Sequence, residues 1–226
     1  MTPLKKARPP KKVLIVDDHP MMREGLAQLI GNDPGLEVCG DAGDAQEALE
    51  KIASLKPDLV LTDITLPGKN GLELIKDIQA LHPGVLVLVL SMHDETLYVE
   101  RVLRAGGRGY IMKEEGGKKI AQAIRQVLDG QIYVSEKMSA KILEIFSGHG
   151  ADVAASPVEK LTDREFDVFQ LIGQGLATKQ MADKLHLSTK TIEVHRANIK
   201  AKLGLGSMAE LIRYAVRWVE SQNTGA

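Results

Sequence analysis

Five polar side chains stand where short apolar runs of this sequence end, and their types suit the chemistry of phosphate. They are Asp17 and Asp18 after residues 13–16, Asp63 shortly after 59–61, Ser91 after 85–90, and Lys113 after 110–112. Three clustered carboxylates repel one another unless a cation lies among them, and hard oxygen ligands suit Mg²⁺. A lysine can act as a point charge on phosphate oxygens, and a hydroxyl can hydrogen-bond them. The set therefore predicts that Asp63 is a carboxylate nucleophile that forms an acyl phosphate.

The elements that must position these residues repeat along the first part of the chain. Apolar, β-branched runs at 13–16, 36–39, 59–61, 85–90 and 110–112 predict strands. Helical spacing at 21–30, 45–55, 72–81, 97–105 and 119–128 predicts helices, and Asp44 with Glu47 predicts a capping box. Five strand–helix units with strands buried on both faces predict an α/β doubly wound, five-stranded parallel sheet.

Ligands of a doubly wound sheet bind at the C-terminal ends of its strands, so all five polar residues are expected along one edge. An Asp pair after a strand is more often a helix cap than a metal site, and a lone Lys at a strand end usually lies on the surface. The convergence of all five at strand ends favours a functional site over these simpler interpretations.

The pattern changes after Gly130. Residues 135–146 predict an amphipathic helix, and residues 147–157 are small, polar and aperiodic, as in an interdomain linker. Helices are then predicted at 163–172, 179–185, 189–203 and 208–219, which make an all-α four-helix domain. Thr162 with Glu165 and Ser207 with Glu210 predict capping boxes, and Ser188 predicts a helix cap.

The short helix 179–185, the turn 186–188 and the helix 189–203 predict a helix-turn-helix. On the longer helix, Ile192, Ile199 and Leu203 form the stripe expected to pack inward. Another face carries small or polar residues that fit a DNA major groove, namely Lys190, Glu193, Val194, Ala197 and Ala201. Basic residues flank that face and can contact phosphates, namely Lys179, Lys184, Arg196, Lys200 and Lys202. Spacing alone also allows a plain helical bundle with a solvated basic face.

Composition and charge narrow the class of protein. The single cysteine, Cys39, cannot form an intramolecular disulfide, which is typical of a reducing cytoplasm. No apolar run approaches the ~20 residues that span a bilayer, and residues 1–12 lack the apolar core of a secretory signal. No membrane partner is therefore expected. The net charge is −1, but residues 179–217 carry eight Lys/Arg and three acids, which gives +5 and suggests modules with different partners.

Three motifs resemble the receiver domain of two-component response regulators, a flavodoxin-like fold. They are Val13-Leu-Ile-Val-Asp-Asp-His-Pro, Asp58-Leu-Val-Leu-Thr-Asp-Ile-Thr-Leu-Pro-Gly-Lys-Asn-Gly and Gly109-Tyr-Ile-Met-Lys. The resemblance implies that Asp63 accepts a phosphoryl group from a sensor histidine kinase. It also implies a Mg²⁺ ion bound by Asp17, Asp18, Asp63 and the backbone carbonyl of Thr65. Ser91 would be the switch hydroxyl, Tyr110 the coupled aromatic and Lys113 the phosphate partner.

Two segments depart from the family pattern, Gly106-Gly-Arg-Gly109 and Glu114-Glu115-Gly116-Gly117. Neither removes a residue expected at the phosphate.

The second half resembles the four-helix DNA-binding domain of the LuxR/NarL/FixJ class. The resemblance lies in Leu161-Thr-Asp-Arg-Glu-Phe-Asp-Val, Gln174-Gly-Leu-Ala-Thr-Lys-Gln-Met-Ala-Asp-Lys-Leu and Ser188-Thr-Lys-Thr-Ile-Glu-Val-His-Arg-Ala-Asn-Ile-Lys-Ala-Lys-Leu. It implies contacts with double-stranded DNA from Thr178, Lys179, Ser188, Lys190, Glu193, Val194, Arg196, Ala197 and Lys200. It also implies a homodimer on phosphorylation, formed in part through the last helix, whose Leu211, Ile212, Ala215 and Trp218 equally suit the domain's own core. RNA polymerase is a further expected partner.

The expected organisation is a basic, disordered arm (1–11), a receiver domain (12–130), a helix and linker (131–157) and a helix-turn-helix domain (158–222). The expected function is phosphorylation-dependent transcription regulation without enzymatic turnover. A Mg²⁺-dependent phosphohydrolase is a rival, but it needs an acidic residue two positions after Asp63, where Thr65 stands. A phosphate-independent regulator with a purely structural acidic pocket stays open. A pure phosphate relay is disfavoured by the DNA-binding half.

Overall fold

The computed structural model describes residues 9–136, 138–140 and 157–223, and its two compact units divide the sequence between Ser135 and Glu136. The first unit holds all strands of the described residues, and the second holds helices only. The predicted α/β domain followed by an all-α domain is confirmed.

The sheet of the first unit is all parallel, with the strand order β2-β1-β3-β4-β5. Its strands are β1 (Lys11–Val16), β2 (Leu36–Ala42), β3 (Leu59–Thr62), β4 (Leu86–Ser91) and β5 (Gly109–Met112). In register, Val16 pairs with Thr62, and Thr62 pairs with Val89. The central strands therefore end together at one edge, on either side of the point where the strand order reverses.

Five helices cover both faces of this sheet, as the alternation of strands and helices requires. They are α1 (Pro20–Gly31), α2 (Ala45–Leu55), α3 (Gly71–Leu81), α4 (Glu95–Arg104) and α5 (Gly117–Leu128). On one face, Val13 and Ile15 of β1 share a core with Ile30 of α1 and with Ile124 and Val127 of α5. The alternate strand residues, which point to the opposite face, are equally buried, and that face belongs to α2, α3 and α4.

Of the strands, β2 extends furthest beyond its predicted range. β2 continues past residue 39 to Ala42, because Gly40, Asp41 and Ala42 go on pairing with β1. The pairing shifts between Val13 and Leu14, so that Cys39 is left out of the ladder as a bulge. The polar residues after Cys39 concealed this extension, since they end the apolar run without ending the hydrogen bonding.

The predicted helix caps are confirmed in part. Thr162 and Glu165 form a complete capping box, and Ser188 accepts the N–H of Thr191. The capping boxes predicted for Asp44 with Glu47 and for Ser207 with Glu210 are wrong in one of their two hydrogen bonds. Both cap residues accept the expected N–H group, but each glutamate reaches back one residue further, to the N–H of Gly43 or Gly206.

The ends of the first unit also differ from the predicted boundaries. Lys11, assigned to the basic arm, is the first residue of β1. Beyond α5, Tyr133 pairs with the outer edge of β5, where its carbonyl accepts the N–H of Tyr110 at 2.8 Å and its N–H donates to Arg108 at 3.0 Å. This pairing explains why the unit extends to Ser135 rather than ending at residue 130. Residues 1–8 of the arm lie outside the described residues.

The second unit contains the four predicted helices, α6 (Asp163–Gly173), α7 (Thr178–Lys184), α8 (Thr189–Lys202) and α9 (Met208–Asn223). Its core includes an aromatic cluster in which Trp218 of α9 lies 5.6 Å from Phe166 and 5.5 Å from Phe169, between ring centroids. Leu211 and Ala215 of α9 are buried, whereas Ile212 is 42% exposed.

The linker predicted at 147–157 lies outside the described residues except Pro157, which begins a 3-10 turn, Pro157–Lys160. Of the helix predicted at 135–146, residues 136 and 138–140 are helical, and residues 137 and 141–146 lie outside the described residues. None of the helices described is both long enough and apolar enough to span a membrane.

Candidate functional site

The C-terminal edge of the sheet brings together the polar residues that the sequence placed at strand ends. Asp17 and Asp18 follow β1, Asp63 follows β3, Ser91 closes β4, and Lys113 follows β5 at the start of a 3-10 turn, Lys113–Glu115. Asp17, Asp63 and Ser91 are buried, as is the Lys113 side chain. Residues 96 positions apart in the sequence are therefore in direct contact.

The Asp63 carboxylate is held by donors on both oxygens. Its Oδ1 accepts the Ser91 hydroxyl at 2.7 Å and the backbone N–H of Ile64 at 2.6 Å. Its Oδ2 accepts the Lys113 ammonium at 2.7 Å. A carboxylate fixed at a sheet edge between a cation and a hydroxyl is placed to receive a phosphoryl group, whose oxygens need the same partners.

Lys113 bridges two carboxylates. Its Nζ lies 2.6 Å from Asp17 Oδ2 as well as 2.7 Å from Asp63 Oδ2. Burial by itself lowers the pKa of Lys113, but the charge of Asp63 and the hydrogen bonds to Asp17 and Asp63 outweigh it, so that the pKa lies above its ordinary value. The ammonium therefore stays charged and offsets part of the repulsion between the two aspartates.

The donor set fits a divalent cation. Asp17, Asp18 and His19 each offer one ligand atom, and these atoms all lie within 4.8 Å of one another. Together with Asp63, the carboxylates supply the hard oxygen ligands that Mg²⁺ prefers. The backbone N–H of Thr65 lies 3.3 Å from Asp63 Oδ1, so Thr65 is beside the pocket, but its carbonyl as a ligand stays a prediction.

A tight turn positions Asp63. The N–H of Gly71, at the start of α3, donates to the carbonyl of Ile64 at 2.8 Å. A Cβ atom at residue 71 would collide with the carbonyl oxygen of Asp63 and lie 2.9 Å from Ile64 Cα. Asn70 closes the turn, because it forms a capping box with Glu73. Only glycine therefore lets α3 begin this close to Asp63.

Ser91 and Tyr110, the predicted switch residues, are linked by His93, which was not predicted from the sequence. The buried Tyr110 hydroxyl donates to the backbone carbonyl of His93 at 2.7 Å, and burial holds the pKa of Tyr110 well above its usual value. The His93 backbone N–H lies 3.4 Å from Ser91 Oγ, and its Nε2 lies 2.8 Å from Thr65 Oγ1. His93 lies two residues after Ser91, and this position close to the end of β4 was the sequence signal that could have identified it.

Two further residues that contact Asp17 or Asp18 were also not predicted from the sequence. His19 Nδ1 lies 2.7 Å from Asp18 Oδ1, and an Arg23 N–H donates to the carbonyl of Asp17 at 2.7 Å. The position of His19 directly after the Asp pair was a signal in the sequence. Arg23 lies one turn into α1, and nothing in its spacing marked it.

The second unit presents the predicted groove-facing residues to solvent. Ile192 and Ile199 of α8 are fully buried, whereas Lys190, Glu193, Val194, Ala197 and Ala201 are exposed. Lys179 and Ser188 are also exposed, and Thr178 and Lys200 are half-buried. The turn between α7 and α8 contains His186 in the left-handed conformation, at φ 54°. The outward face of α8 is the predicted one, and two of the three residues predicted to pack inward are buried, whereas Leu203 at the C-terminal cap is half-buried.

Three predicted DNA contacts interact with one another. Glu193 Oε1 accepts the Thr178 hydroxyl at 2.9 Å and the Arg196 guanidinium at 2.9 Å. Arg196 also donates to Thr178 Oγ1 at 2.7 Å. Lys202, a predicted phosphate contact, instead pairs with Glu165 of α6 at 2.6 Å. That pair anchors the end of α8 to the start of α6.

Comparisons with known proteins agree with this geometry. Residues 13–125 match the response regulator receiver domain, and residues 159–215 match the bacterial regulatory proteins of the luxR family. The chain is 36% identical to the oxygen regulatory protein NreC of Staphylococcus aureus over 210 residues, which cover 91% of this chain and 97% of that protein.

Solved structures give the same result. A LuxR-family two-component response regulator from Aurantimonas sp. SI85-9A1 is 33% identical, with a TM-score of 0.57, over 61% of this chain and 99% of that one. The RcsB response regulator of Salmonella typhimurium is 25% identical, with a TM-score of 0.56, over 92% of this chain and 98% of that one.

An acidic pocket on a parallel sheet, followed by an exposed helix-turn-helix, defines a receiver domain joined to a DNA-binding domain. The chain belongs to the LuxR-type response regulators, which are DNA-binding transcription regulators.

Proposed function

We propose that a sensor histidine kinase phosphorylates this regulator on Asp63, and that the phosphorylated form dimerises and binds paired DNA half-sites. The observation that carries the proposal is the Asp63 carboxylate, which is held between the Lys113 ammonium and the Ser91 hydroxyl at 2.7 Å each. These are the partners that a phosphoryl group on Asp63 would need.

In the proposed reaction, a carboxylate oxygen of Asp63 attacks phosphorus, and the bond from phosphorus to the kinase imidazole breaks. Lys113 pairs with the phosphoryl oxygens as they reach the pocket. A Mg²⁺ ion bound by Asp17, Asp18, Asp63 and the Thr65 carbonyl would neutralise charge on the transferring group. We expect no turnover of phosphate esters, because Thr65 stands where an acid/base carboxylate would be needed.

The proposed switch uses contacts around the pocket. Ser91 can exchange its bond to Asp63 for one to the phosphoryl group. Because His93 touches Ser91, Tyr110 and Thr65, movement of Ser91 reaches the start of α4 through His93. The surface of α4 and α5 then changes and favours a homodimer.

At the DNA, we propose that Lys179 and Lys200 contact phosphates, that Lys190 lies on the groove-facing side of α8, and that Glu193, Val194 and Ala197 face the bases. Thr178, Ser188 and Arg196 complete the proposed interface. The exposure of this face of α8 beside basic residues supports the assignment. RNA polymerase is a further proposed partner, and the bacterial cytoplasm, where promoters are, is the proposed location.

Acetyl phosphate with Mg²⁺ provides the test. We expect it to label Asp63 in the unmodified chain, to raise the mass in a sizing column to that of a dimer, and to increase affinity for a selected DNA site by about tenfold. The Asp63→Asn variant should show none of these effects. Asp129→Asn, which changes an exposed carboxylate after α5, should behave as the unmodified chain.

Equal DNA affinity with and without labelling would disprove the switch but not DNA binding. Failure to label Asp63 would favour a regulator that works without phosphate.

A further inference from the structure

The Glu193 side chain is held in one position on the exposed face of α8. One of its oxygens, Oε1, is fixed by the Thr178 hydroxyl of α7 and by Arg196, one turn further along α8. Arg196 bonds Thr178 as well, so the three side chains form a closed triangle with edges of 2.7–2.9 Å. We call this set the Thr178–Glu193–Arg196 triangle.

The triangle is more stable than an ordinary surface ion pair. The Arg196 side chain is only 15% exposed, and a charged bond to a fixed, partly buried guanidinium loses less side-chain entropy than one between two long exposed chains. Arg196 also compensates the negative charge that Glu193 brings toward DNA phosphates. A carboxylate can therefore stand in this interface at a low electrostatic cost.

The triangle leaves the other carboxylate oxygen for a ligand. The bonds of Glu193 to described residues all fall on Oε1, and the side chain remains 54% exposed. In a major groove, this acceptor meets a donor only at the amino groups of cytosine and adenine. Adenine presents the acceptor N7 beside its amino group, and guanine and thymine present acceptors, so a carboxylate favours cytosine.

We infer that Glu193 reads a cytosine in each half-site, and that Thr178 and Arg196 are positioning residues that hold it in place. The inference rests on the DNA binding proposed above and names the base that this binding selects. It assigns Thr178 and Arg196 a role in sequence discrimination rather than only in phosphate contact.

The test uses the full chain treated with acetyl phosphate and a duplex library with a randomised half-site. The position facing Glu193 is the one whose preference changes in the Glu193→Gln variant. Duplexes with each of the four bases there are then compared by equilibrium binding. We expect cytosine to bind about tenfold more tightly than the other bases. Glutamine should move the preference to adenine, which it bonds through N6 and N7.

Variants at residue 178 separate positioning from a simple structural role. Thr178→Val removes the hydroxyl and should reduce the preference for cytosine to about threefold or less, whereas Thr178→Ser should keep it. Lys179→Gln should weaken binding to all four duplexes equally, because a phosphate contact carries no base information. Thermal unfolding of each variant checks that the domain is folded.

Three results would overturn the inference while DNA binding itself persists. One is a base other than cytosine at the position sensitive to Glu193→Gln. The second is no position at all that responds to Glu193→Gln. The third is an unchanged preference in a folded Thr178→Val variant. Absence of specific DNA binding by the phosphorylated chain would instead overturn the proposed function, and this inference with it.

Discussion

At the scale of single residues, Lys113 carries the electrostatics of the pocket. It is the cation that touches both Asp17 and Asp63, and all three side chains are nearly excluded from water. Its pKa is raised above the ordinary lysine value of 10.5. The stabilisation that it provides is therefore fully present below that pH, and it is lost only as the pH rises through the higher folded-state value.

Replacing Lys113 by Met should destabilise the first unit by about 3 kcal/mol, because two buried carboxylates lose their counter-charge. Urea unfolding measures this loss. Adding Mg²⁺ should restore part of it, since the ion supplies positive charge to the same oxygens. The exposed Lys118 offers a matched control, and Lys118→Met should change little. Equal stability of the two variants without Mg²⁺ would contradict the assigned role of Lys113.

Gly71 is the second residue on which the pocket depends. The Gly71→Ala variant should lose about 2 kcal/mol of stability, because its Cβ would press on the Asp63 carbonyl and the turn must move. It should also be labelled by acetyl phosphate more slowly than the unmodified chain. Gly84→Ala is the control, since a Cβ there meets nothing within 4 Å. Normal labelling of Gly71→Ala would show that the turn adapts without moving Asp63.

At the scale of elements, an ion pair ties the turn after α1 to α5. Asp33 is buried and accepts Arg125 Nε at 2.6 Å. The backbone N–H of Gly35 lowers the pKa of Asp33 below the ordinary 3.8, burial opposes this, and Arg125 lowers the pKa further. A carboxyl whose pKa is lowered on folding adds stability above its unfolded value and loses it as the pH falls through the folded one.

The Asp33→Asn variant should therefore be less stable than the unmodified chain by about 1.5 kcal/mol at neutral pH. The difference should stay constant down to about pH 5 and shrink below pH 4, as Asp33 of the unmodified chain takes up its proton. Urea titrations at several pH values measure it. Glu37→Gln, at an exposed site on β2, controls for the loss of one negative charge. A difference that grows in acid would reverse the sign assigned to Asp33.

The sequence predicts most elements because local signals and the fold agree. α2 begins and ends at the predicted residues, since Asp44 caps it and Pro57 follows closely. The extension of β2 and the pairing of Tyr133 escape prediction for one reason: backbone ladders can continue through polar or isolated residues. Both features depend on pairing with another strand, β1 for the extension of β2 and β5 for Tyr133, which lies at a distance in the sequence.

The candidate site likewise contains residues that the sequence predicts and contacts that it does not predict. Strand ends mark Asp17, Asp63, Ser91 and Lys113, because parallel strands must finish at one edge. The contact of His93 with Thr65 depends on side-chain rotamers and on loop paths that spacing does not encode. The Thr178–Glu193–Arg196 triangle joins two helices through their crossing geometry, so the sequence indicates each member but not their mutual bonds.

At the scale of the whole molecule, the acidic pocket and the helix-turn-helix belong to separate compact units. The proposed phosphate pocket contains three carboxylates, whereas residues 179–217 carry an excess of positive charge. Two units with opposite local charge can serve two anionic ligands without competition, because the aspartates of the pocket repel DNA phosphates. The boundary of the first unit shows which residues its fold needs in addition to those of the pocket.

That boundary is testable by comparing fragments that end at residue 130 or at residue 135. The longer fragment should be more stable in urea by about 2 kcal/mol, because only it contains Tyr133, which makes two backbone hydrogen bonds to the edge of β5. Both fragments should accept phosphate, since the pocket residues lie before residue 114 in each.

Gly109→Ala tests whether the edge pairing is the cause of that difference. A Cβ at residue 109 would lie 2.5 Å from the Tyr133 carbonyl and 3.0 Å from Leu88 Cδ1. The substitution should therefore cost more in the longer fragment than in the shorter one, where only the contact with Leu88 remains. An equal cost in the two fragments would show that Tyr133 does not hold this edge, and it would move the end of the receiver domain back to α5.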